Sequence, residues 1–505
     1  MAVRKFLSGK TMARGHRFGS GRPAFLLRDH SCGLLLICVM ALAGAATAGA
    51  RESVVPDFKK IDAYVASMFE TSQLPGMAVA IVRDDRTVYF RGLGVSRGDA
   101  PVTQDTLFAL GSTSKAFTAL ATLQLVDAGK LRLDDAVTHV LPGFLHGAAA
   151  SEQITIRSLL NQTSGISQKA GDQPVWSAGE TGPNAIQDWA GGLGASALDR
   201  PPGTFEYSNA NYVILGALIE KASGETYARY VREHIFVPLH MTNSHASLSG
   251  VDFSRLARGH KQFLDINFES DLPYPPSFVP ASYVITSARD LAKYIASQLP
   301  GSRNTAALGL SASSFALWHQ GSAVMDRSGT RRYAMGWMTA TFNGVPVVAH
   351  PGGTGVFSSE FILVPSKNWG VIMLANGGGW LPSPYLHEIA SGIVSQLVGR
   401  EPRDDTGIHR VVLVLYLAVM AIPLVQLLAL WKWGRRRASL PGRLWPVALH
   451  MAAAIALIAI FPRALFGDPF IELLISFPDM GCAAVASGIL ALAALALALR
   501  AGVKT

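Results

Sequence analysis

The chain has 505 residues, more than one typical domain, with 49% apolar and only 16% charged residues, so part of it is expected to lie in lipid. The net charge of +9 is uneven: +6 over residues 1–50, −1 over 51–400 and +4 over 401–505. The near-neutral middle has no basic stripe, which argues against nucleic acid as a partner. The three cysteines (Cys32, Cys38 and Cys482) leave 51–400 with no disulfide, no thiolate nucleophile and no cysteine metal site.

Residues 1–31 are basic and Gly-rich, and the apolar run from Gly33 to Ala43 is followed by small residues through Ala50. This pattern predicts a secretory signal over 1–50, with cleavage fitting Ala46-Thr47-Ala48 or Ala48-Gly49-Ala50. Removal of the signal, and a start at Met12, stay open. Residues 55–72 read as an amphipathic helix ended by Pro75-Gly76. Met77 to Val82 and Thr87 to Arg91 read as a hairpin around 83–86. A helix is expected over 112–128, mostly helix and loop from about 130 to 330, and strands around Met335–Phe342, Val345–Ala349, Phe357–Val364 and Gly370–Leu374. A helix over 383–399 closes this region. The order predicts an α/β (α+β) domain over 51–400: an antiparallel sheet assembled from both ends, flanked by helices, with a mostly helical subdomain between.

Beyond residue 400, a membrane region over 401–505 is expected, with three spans near 411–431, 444–462 and 482–499. Lys432, Arg435, Arg436, Arg437 and Arg443 sit between the first two. Positive charge favours the cytoplasmic side, which puts 51–400 outside the cell membrane and the C-terminus inside. The signal sends the same region outward. The small-residue face from Ala483 to Gly488 suits helix packing.

Three constellations carry the chemistry. In Ser112-Thr113-Ser114-Lys115, a serine and a lysine almost one helical turn apart face the same way. A serine hydroxyl needs a base within reach, and a lysine can serve if its surroundings favour the neutral amine. The helix start adds unpaired backbone N–H groups close to where an oxyanion would form. Ser114 points elsewhere. The second constellation runs from Gly203 to Tyr212 and holds Tyr207 and Asn209, read as a loop before a helix starting near Val213. A loop tyrosine can shuttle a proton to the serine, and the Asn209 amide can hold a substrate amide or ester. The third, His350-Pro351-Gly352-Gly353-Thr354, opens out of a strand. Gly352-Gly353 lets the strand edge approach an acyl group closely, with a backbone N–H as second oxyanion donor. Gly94-Val95-Ser96-Arg97-Gly98 matches a nucleophile elbow, but the turn-like Asp99-Ala100-Pro101 follows where a helix is required.

Together these residues resemble the class C β-lactamase and penicillin-binding protein group of serine hydrolases, which includes related esterases and D-aminopeptidases. The resemblance covers about 55–400. It extends to Ile154–Ile166, Pro202–Gly216, Ile235–Met241 and Ser287–Ala292. It implies an acyl-enzyme on Ser112, with Lys115 and Tyr207 sharing the proton work and the choice of base left open. It implies substrate contacts from Asn209, His350 and Gly352, and an oxyanion hole from the N–H groups of Ser112 and Gly353. No metal and no cofactor are implied. His350 stands where true β-lactamases carry the lysine of K-T-G, which favours esters, amides or blocked peptides over carboxylate-bearing substrates. Gln162 stands where many relatives carry histidine, and Tyr283-Val284 replaces a glycine pair; both are expected to reshape the pocket.

The sequence thus predicts a membrane-anchored extracytoplasmic serine hydrolase acting on a small-molecule, peptide or lipid-linked ester or amide. The alternatives are a true β-lactamase or D,D-carboxypeptidase, and a non-catalytic envelope sensor or scaffold. Substrate identity and oligomeric state are not readable.

Overall fold

The computed structural model describes residues 55–172, 182–263, 266–378, 382–403, 406–434, 440–460 and 478–502. The predicted signal region lies outside them. Helix α1 (Phe58–Ser72) starts where the Asp57 carboxylate accepts from the N–H groups of Lys59 and Lys60, an N-cap that satisfies orphan donors. Strands β1 (Gly76–Arg83), β2 (Arg86–Arg97) and β3 (Ala100–Pro101) follow. Asp84 and Asp85, both at positive φ, make the tight turn of the predicted β1–β2 hairpin. The short β4 (Leu107–Ala109) leads into a 3-10 turn, Gly111–Ser114, and helix α2 (Lys115–Asp127).

The helical stretch that follows contains more strand than the sequence suggested. A hairpin, β5 (Gly259–Phe263) with β6 (Ile266–Ser270), sits beyond helix α3 (Asn209–Ser223), and β7 (Ile285–Ser287) pairs with β4. These strands are short, so their period-2 signal spans too few residues to stand out. Helix α4 (Ala288–Ala296) and strands β8 (Ala323–Val324), β9 (Arg332–Ala334), β10 (Trp337–Phe342), β11 (Val345–Gly353), β12 (Ser358–Val364) and β13 (Trp369–Ala375) precede helix α5 (Pro382–Leu397).

The sheet is nine-stranded and antiparallel, in the order β3-β2-β1-β13-β12-β11-β10-β9-β8. N-terminal β1 pairs with C-terminal β13, Met77 opposite Ala375 and Ile81 opposite Val371, so the sheet is assembled from both ends of the domain as the sequence predicts. Successive residues of β1 face opposite layers. Met77, Val79 and Ile81 pack beneath α1 and α5 with Ile389 and Ile393. Ala78, Ala80 and Val82 join the larger core that runs through α2 and α3.

Helices α6 (Thr406–Gly434), α7 (Leu440–Ile455, continued as a π-turn to Ile460) and α8 (Pro478–Gly502) follow. Two of them are long and apolar enough to cross a membrane, over Val414–Trp433 and Asp479–Leu499. Val414, Leu424, Leu492 and Leu499 on them are each more than 60% exposed. Of the three expected spans, the second, near 444–462, is corrected: its apolar part among the described residues, Leu444–Ile460, is a shorter helix that falls below the ~20 residues a hydrocarbon core needs.

Candidate active site

Gly111 adopts φ +61°, and a Cβ placed on it would lie 2.2 Å from Gly353 N. Only glycine allows that backbone and that approach together. The turn brings Ser112 to the surface of an otherwise buried segment, with Gly111, Thr113, Ser114 and Lys115 enclosed. Four contacts lock it. The Ser359 hydroxyl of β12 donates to Leu110 O at 2.6 Å and meets Thr113 Oγ1 at 2.9 Å. Leu110 N donates to Val284 O at 2.9 Å, and Val284 N donates to Ser114 Oγ at 3.1 Å. Ser114 is therefore a structural acceptor, and Val284 clasps the turn from both of its backbone groups.

Lys115 is fully buried. Its Nζ donates to Ser112 Oγ at 3.1 Å, Asn209 Oδ1 at 2.7 Å and the Ala281 carbonyl at 2.9 Å. An ammonium has three hydrogens, and three oxygens surround this one. The same nitrogen lies 4.9 Å from the centroid of the Tyr207 ring. Tyr207 is half-buried on a loop, as expected, but Asn209 is the first residue of α3, which begins four residues before the predicted Val213. Asn209 has dual placement: it opens the helix and its carbonyl oxygen holds Lys115. Ser96 lies on β2, its hydroxyl spent on the Ala100 carbonyl at 3.1 Å, which removes it from the site.

Gln162 explains why the loop stands where it does. It is buried at φ +60°. Its Oε1 accepts from Ser208 N at 3.0 Å and Asn211 Nδ2 at 2.5 Å, and its carbonyl accepts from Glu206 N at 2.9 Å. Ser208 Oγ donates to Ser167 O at 2.8 Å on the far side. Gln162 thus fastens, from behind, the strip carrying Tyr207 and Asn209. Other segments of the resemblance are scaffold. Thr155 and Ser158 form a capping box, and Arg157 makes a bidentate pair with Asp134 at 2.7 and 2.8 Å. Buried Asp290 accepts from Asn243 N and Ser244 Oγ.

His350 is 1% exposed at the end of β11. Its Nδ1 lies 2.6 Å from Pro351 O and its Nε2 3.3 Å from Tyr333 Oη. Burial, then the nearby Lys115, pull its pKa down to about 3, so it is neutral rather than partly charged at neutral pH. Gly352 packs so tightly that a Cβ there would meet Leu110 O at 2.2 Å, whereas Gly353 is exposed. Two groups that touch the predicted site residues escaped the sequence reading. One is the Ala281 carbonyl, since a backbone acceptor has no residue signature. The other is Tyr333, fully buried, whose ring centroid stands 6.0 Å from Tyr207 and 5.9 Å from His350. Its signal was its place just before a Gly-turn and strand, which pattern alone reads as core. A cavity of about 570 Å3 lined by Ser167, Lys169, Asp188, Trp189 and Ala197 holds none of the predicted residues.

Residues 61–390 match the family model described as Beta-lactamase. The chain is similar to Protein flp of Staphylococcus aureus (strain NCTC 8325 / PS 47), 30% identical over 353 residues, covering 68% of this chain and 67% of that protein. It is similar to Penicillin-binding protein 4 of Amycolatopsis lactamdurans, 30% identical over 341 residues, covering 65% of this chain and 86% of that protein. Among solved structures, the octameric penicillin-binding protein homologue from Pyrococcus abyssi superposes with a TM-score of 0.61 at 26% identity, covering 69% of this chain and 79% of that one. The D-amino acid amidase from Ochrobactrum anthropi SV3, with L-phenylalanine amide, gives 0.58 at 20%, covering 67% and 98%, a likeness of fold. With two thirds of its length matched and the serine–lysine turn built against a Gly-Gly strand edge, the chain belongs to the Beta-lactamase family, whose members are generally serine hydrolases.

Proposed function

We propose that this chain is a membrane-anchored, extracytoplasmic serine hydrolase that cleaves an ester or amide, peptides included, through an acyl-enzyme on Ser112. One observation carries the reading. Lys115 Nζ sits 3.1 Å from Ser112 Oγ while its other two bonds run to Asn209 Oδ1 and Ala281 O. In the neutral amine those two oxygens take both hydrogens, which leaves the lone pair facing the serine hydroxyl.

The steps follow. Ser112 Oγ attacks the acyl carbon as its proton passes to Lys115 Nζ. The carbonyl electrons move onto oxygen, which accepts from the main-chain N–H groups of Ser112 and Gly353. The proton reaches the leaving group by way of Tyr207, the acyl–leaving-group bond breaks, and water then releases the acid by the reverse proton path. Asn209 has two tasks, holding Lys115 and orienting the substrate amide.

Neutral His350 supports a substrate without a carboxylate at the third-motif position, which ranks esters, amides and blocked peptides above β-lactams or carboxylate-ended peptides. The exposed apolar faces of α6 and α8 support anchoring in lipid. The charge pattern supports a catalytic domain on the outer side.

The test uses the full-length chain in detergent, wild type and Ser112→Ala, with a fluorophosphonate probe, mass spectrometry of the labelled peptide, and turnover of p-nitrophenyl esters and nitrocefin. Label at Ser112 and ester turnover, both lost in the variant, are expected. Label elsewhere, or none on folded protein, refutes the assignment, and the second outcome favours an envelope sensor. Nitrocefin turnover matching the best ester would favour a β-lactamase.

A further inference from the structure

We propose that Tyr333 is a positioning residue: acting through His350, it holds the main-chain oxyanion donor of Gly353 in place. The inference rests on the acyl-enzyme reading above and adds to it the device that fixes the strand edge.

The β10–β11 ladder ends at Met338 opposite Ala349, whereas the β11–β12 ladder continues to Gly353 opposite Ser358. Residues 350–353 are therefore paired on one side only. Pro351 lies in this stretch and brings no N–H to any ladder. A one-sided strand with a missing donor needs another fastening if it is to present Gly353 N at a fixed point.

His350 supplies that fastening, because both of its ring nitrogens are engaged within the protein. A carbonyl only accepts, so the 2.6 Å contact to Pro351 O puts the ring proton on Nδ1. Nε2 then accepts from the Tyr333 hydroxyl at 3.3 Å. Tyr333 stands on β9, opposite Met338. The imidazole thus links β9 to the peptide carbonyl two residues before Gly353. Lys115 from α2, Tyr207 from its loop and Tyr333 from β9 all face the ring, and the side chains of Tyr212 from α3 and of Gln162 also hydrogen-bond with Tyr333. Burial and Lys115 keep the imidazole uncharged, which preserves Nε2 as an acceptor. The tolerance is small: a Cβ on Gly111 would come within 2.2 Å of Gly353 N, so the donor and the nucleophile turn touch.

An oxyanion donor acts mainly when charge develops. Loosening it lowers kcat and leaves KM nearly unchanged. Tyr333→Phe retains the ring packed on Phe205 and Tyr207 and removes the hydroxyl, with its bonds to His350, Tyr212 and Gln162, so the double-variant comparison isolates the part that runs through His350. Full-length wild type, Tyr333→Phe, His350→Gln and the double variant would be assayed with a p-nitrophenyl ester and with phenylboronic acid, which closes on a serine as a tetrahedral anion. We expect kcat/KM to fall about tenfold in Tyr333→Phe through kcat, boronate Ki to weaken in parallel, and the double variant to lose no more than His350→Gln alone. A change confined to KM, an unmoved boronate Ki, losses that multiply in the double variant, or full activity in Tyr333→Phe would each overturn the proposal. Wild-type protein that fluorophosphonate does not label at Ser112 would overturn the acyl-enzyme reading instead; if wild type is labelled, the failure belongs to Tyr333 alone.

Discussion

Two adjacent glycines, Gly352 and Gly353, should respond oppositely to alanine. A Cβ on Gly352 would lie 2.2 Å from Leu110 O, 2.4 Å from Ser359 Oγ and 3.0 Å from Thr113 N. Ordinary contact begins near 3.4 Å, so strand β11 or the nucleophile turn must retreat by about 1 Å. Neither gives easily, because Leu110 O is already an acceptor for Ser359 and Thr113. Overpacking of this kind costs about 1–3 kcal/mol, or about 2–6 °C in melting temperature for a large domain. The loss of rate should be greater: a 1 Å displacement between Ser112 and the strand edge can cost ~10²-fold. A Cβ on Gly353 meets nothing nearer than Phe357 O at 3.9 Å, so Gly353→Ala should melt with wild type. The assay is fluorophosphonate labelling rate beside thermal unfolding for both variants. Wild-type behaviour of Gly352→Ala, or equal destabilisation by the two alanines, would refute the close approach on which the site is built.

Lys115→Met should lower the labelling rate at Ser112 by about 10²–10⁴-fold; it should also leave Asn209 Oδ1 and Ala281 O without that donor, about 1–3 kcal/mol each, offset by removal of a buried polar head, so near-wild-type labelling would reject Lys115 as the base. Gln162→Ala should unpair Ser208 N and the Asn211 amide and destabilise by about 2–4 kcal/mol, with activity falling as the Tyr207 strip loosens; Gln162→Glu, which still accepts from both, should recover most of the melting temperature. For His350, the folded pKa of about 3 lies below the ordinary 6.5. Its contribution to stability is therefore whole above pH 6.5 and is lost by about 1.4 kcal/mol per pH unit as pH falls toward 3, because the unfolded chain takes up the proton first. Denaturant unfolding at pH 6, 5 and 4 should show His350→Gln with a slope shallower by about that amount, and equal slopes would contradict the neutral, buried imidazole.

The split sheet was legible because each of its long strands carries a strong apolar run and because both ends of the domain supplied them. The serine and lysine were legible because their spacing is local: three residues set which way two side chains face. What holds them was not legible. Asn209 and Ala281 reach Lys115 from 94 and 166 residues away, and Ser359 reaches the turn from 249. Such contacts follow from the sheet order, which no local periodicity states. Gln162 shows the same limit from another side. As a residue type it suggested an altered pocket. Its task, accepting two N–H groups behind the loop, depends on α3 beginning at Asn209, four residues early. The helix starts there because the preceding strip is already fastened by Gln162 and Ser167, so α3 has no need of a side-chain cap of its own at Ser208.

His350 joins these two lessons. By type it is the residue that titrates near neutrality, and a reading from type alone assigns it a partial charge. Its setting decides otherwise. The ring is buried, faces the Lys115 nitrogen and gives its one proton to the Pro351 carbonyl. Adding a second proton would place an unscreened cation in a buried site, opposed further by Lys115 whenever that amine holds its third proton, and would cost Nε2 its acceptor role. The histidine is therefore better suited to fixing a strand than to binding an anion. The same position can carry a charged lysine in a relative only if burial is relieved or a partner anion is supplied. That requirement links the identity of one side chain to the class of substrate proposed above: a neutral, buried third motif offers no fixed cation to a substrate carboxylate.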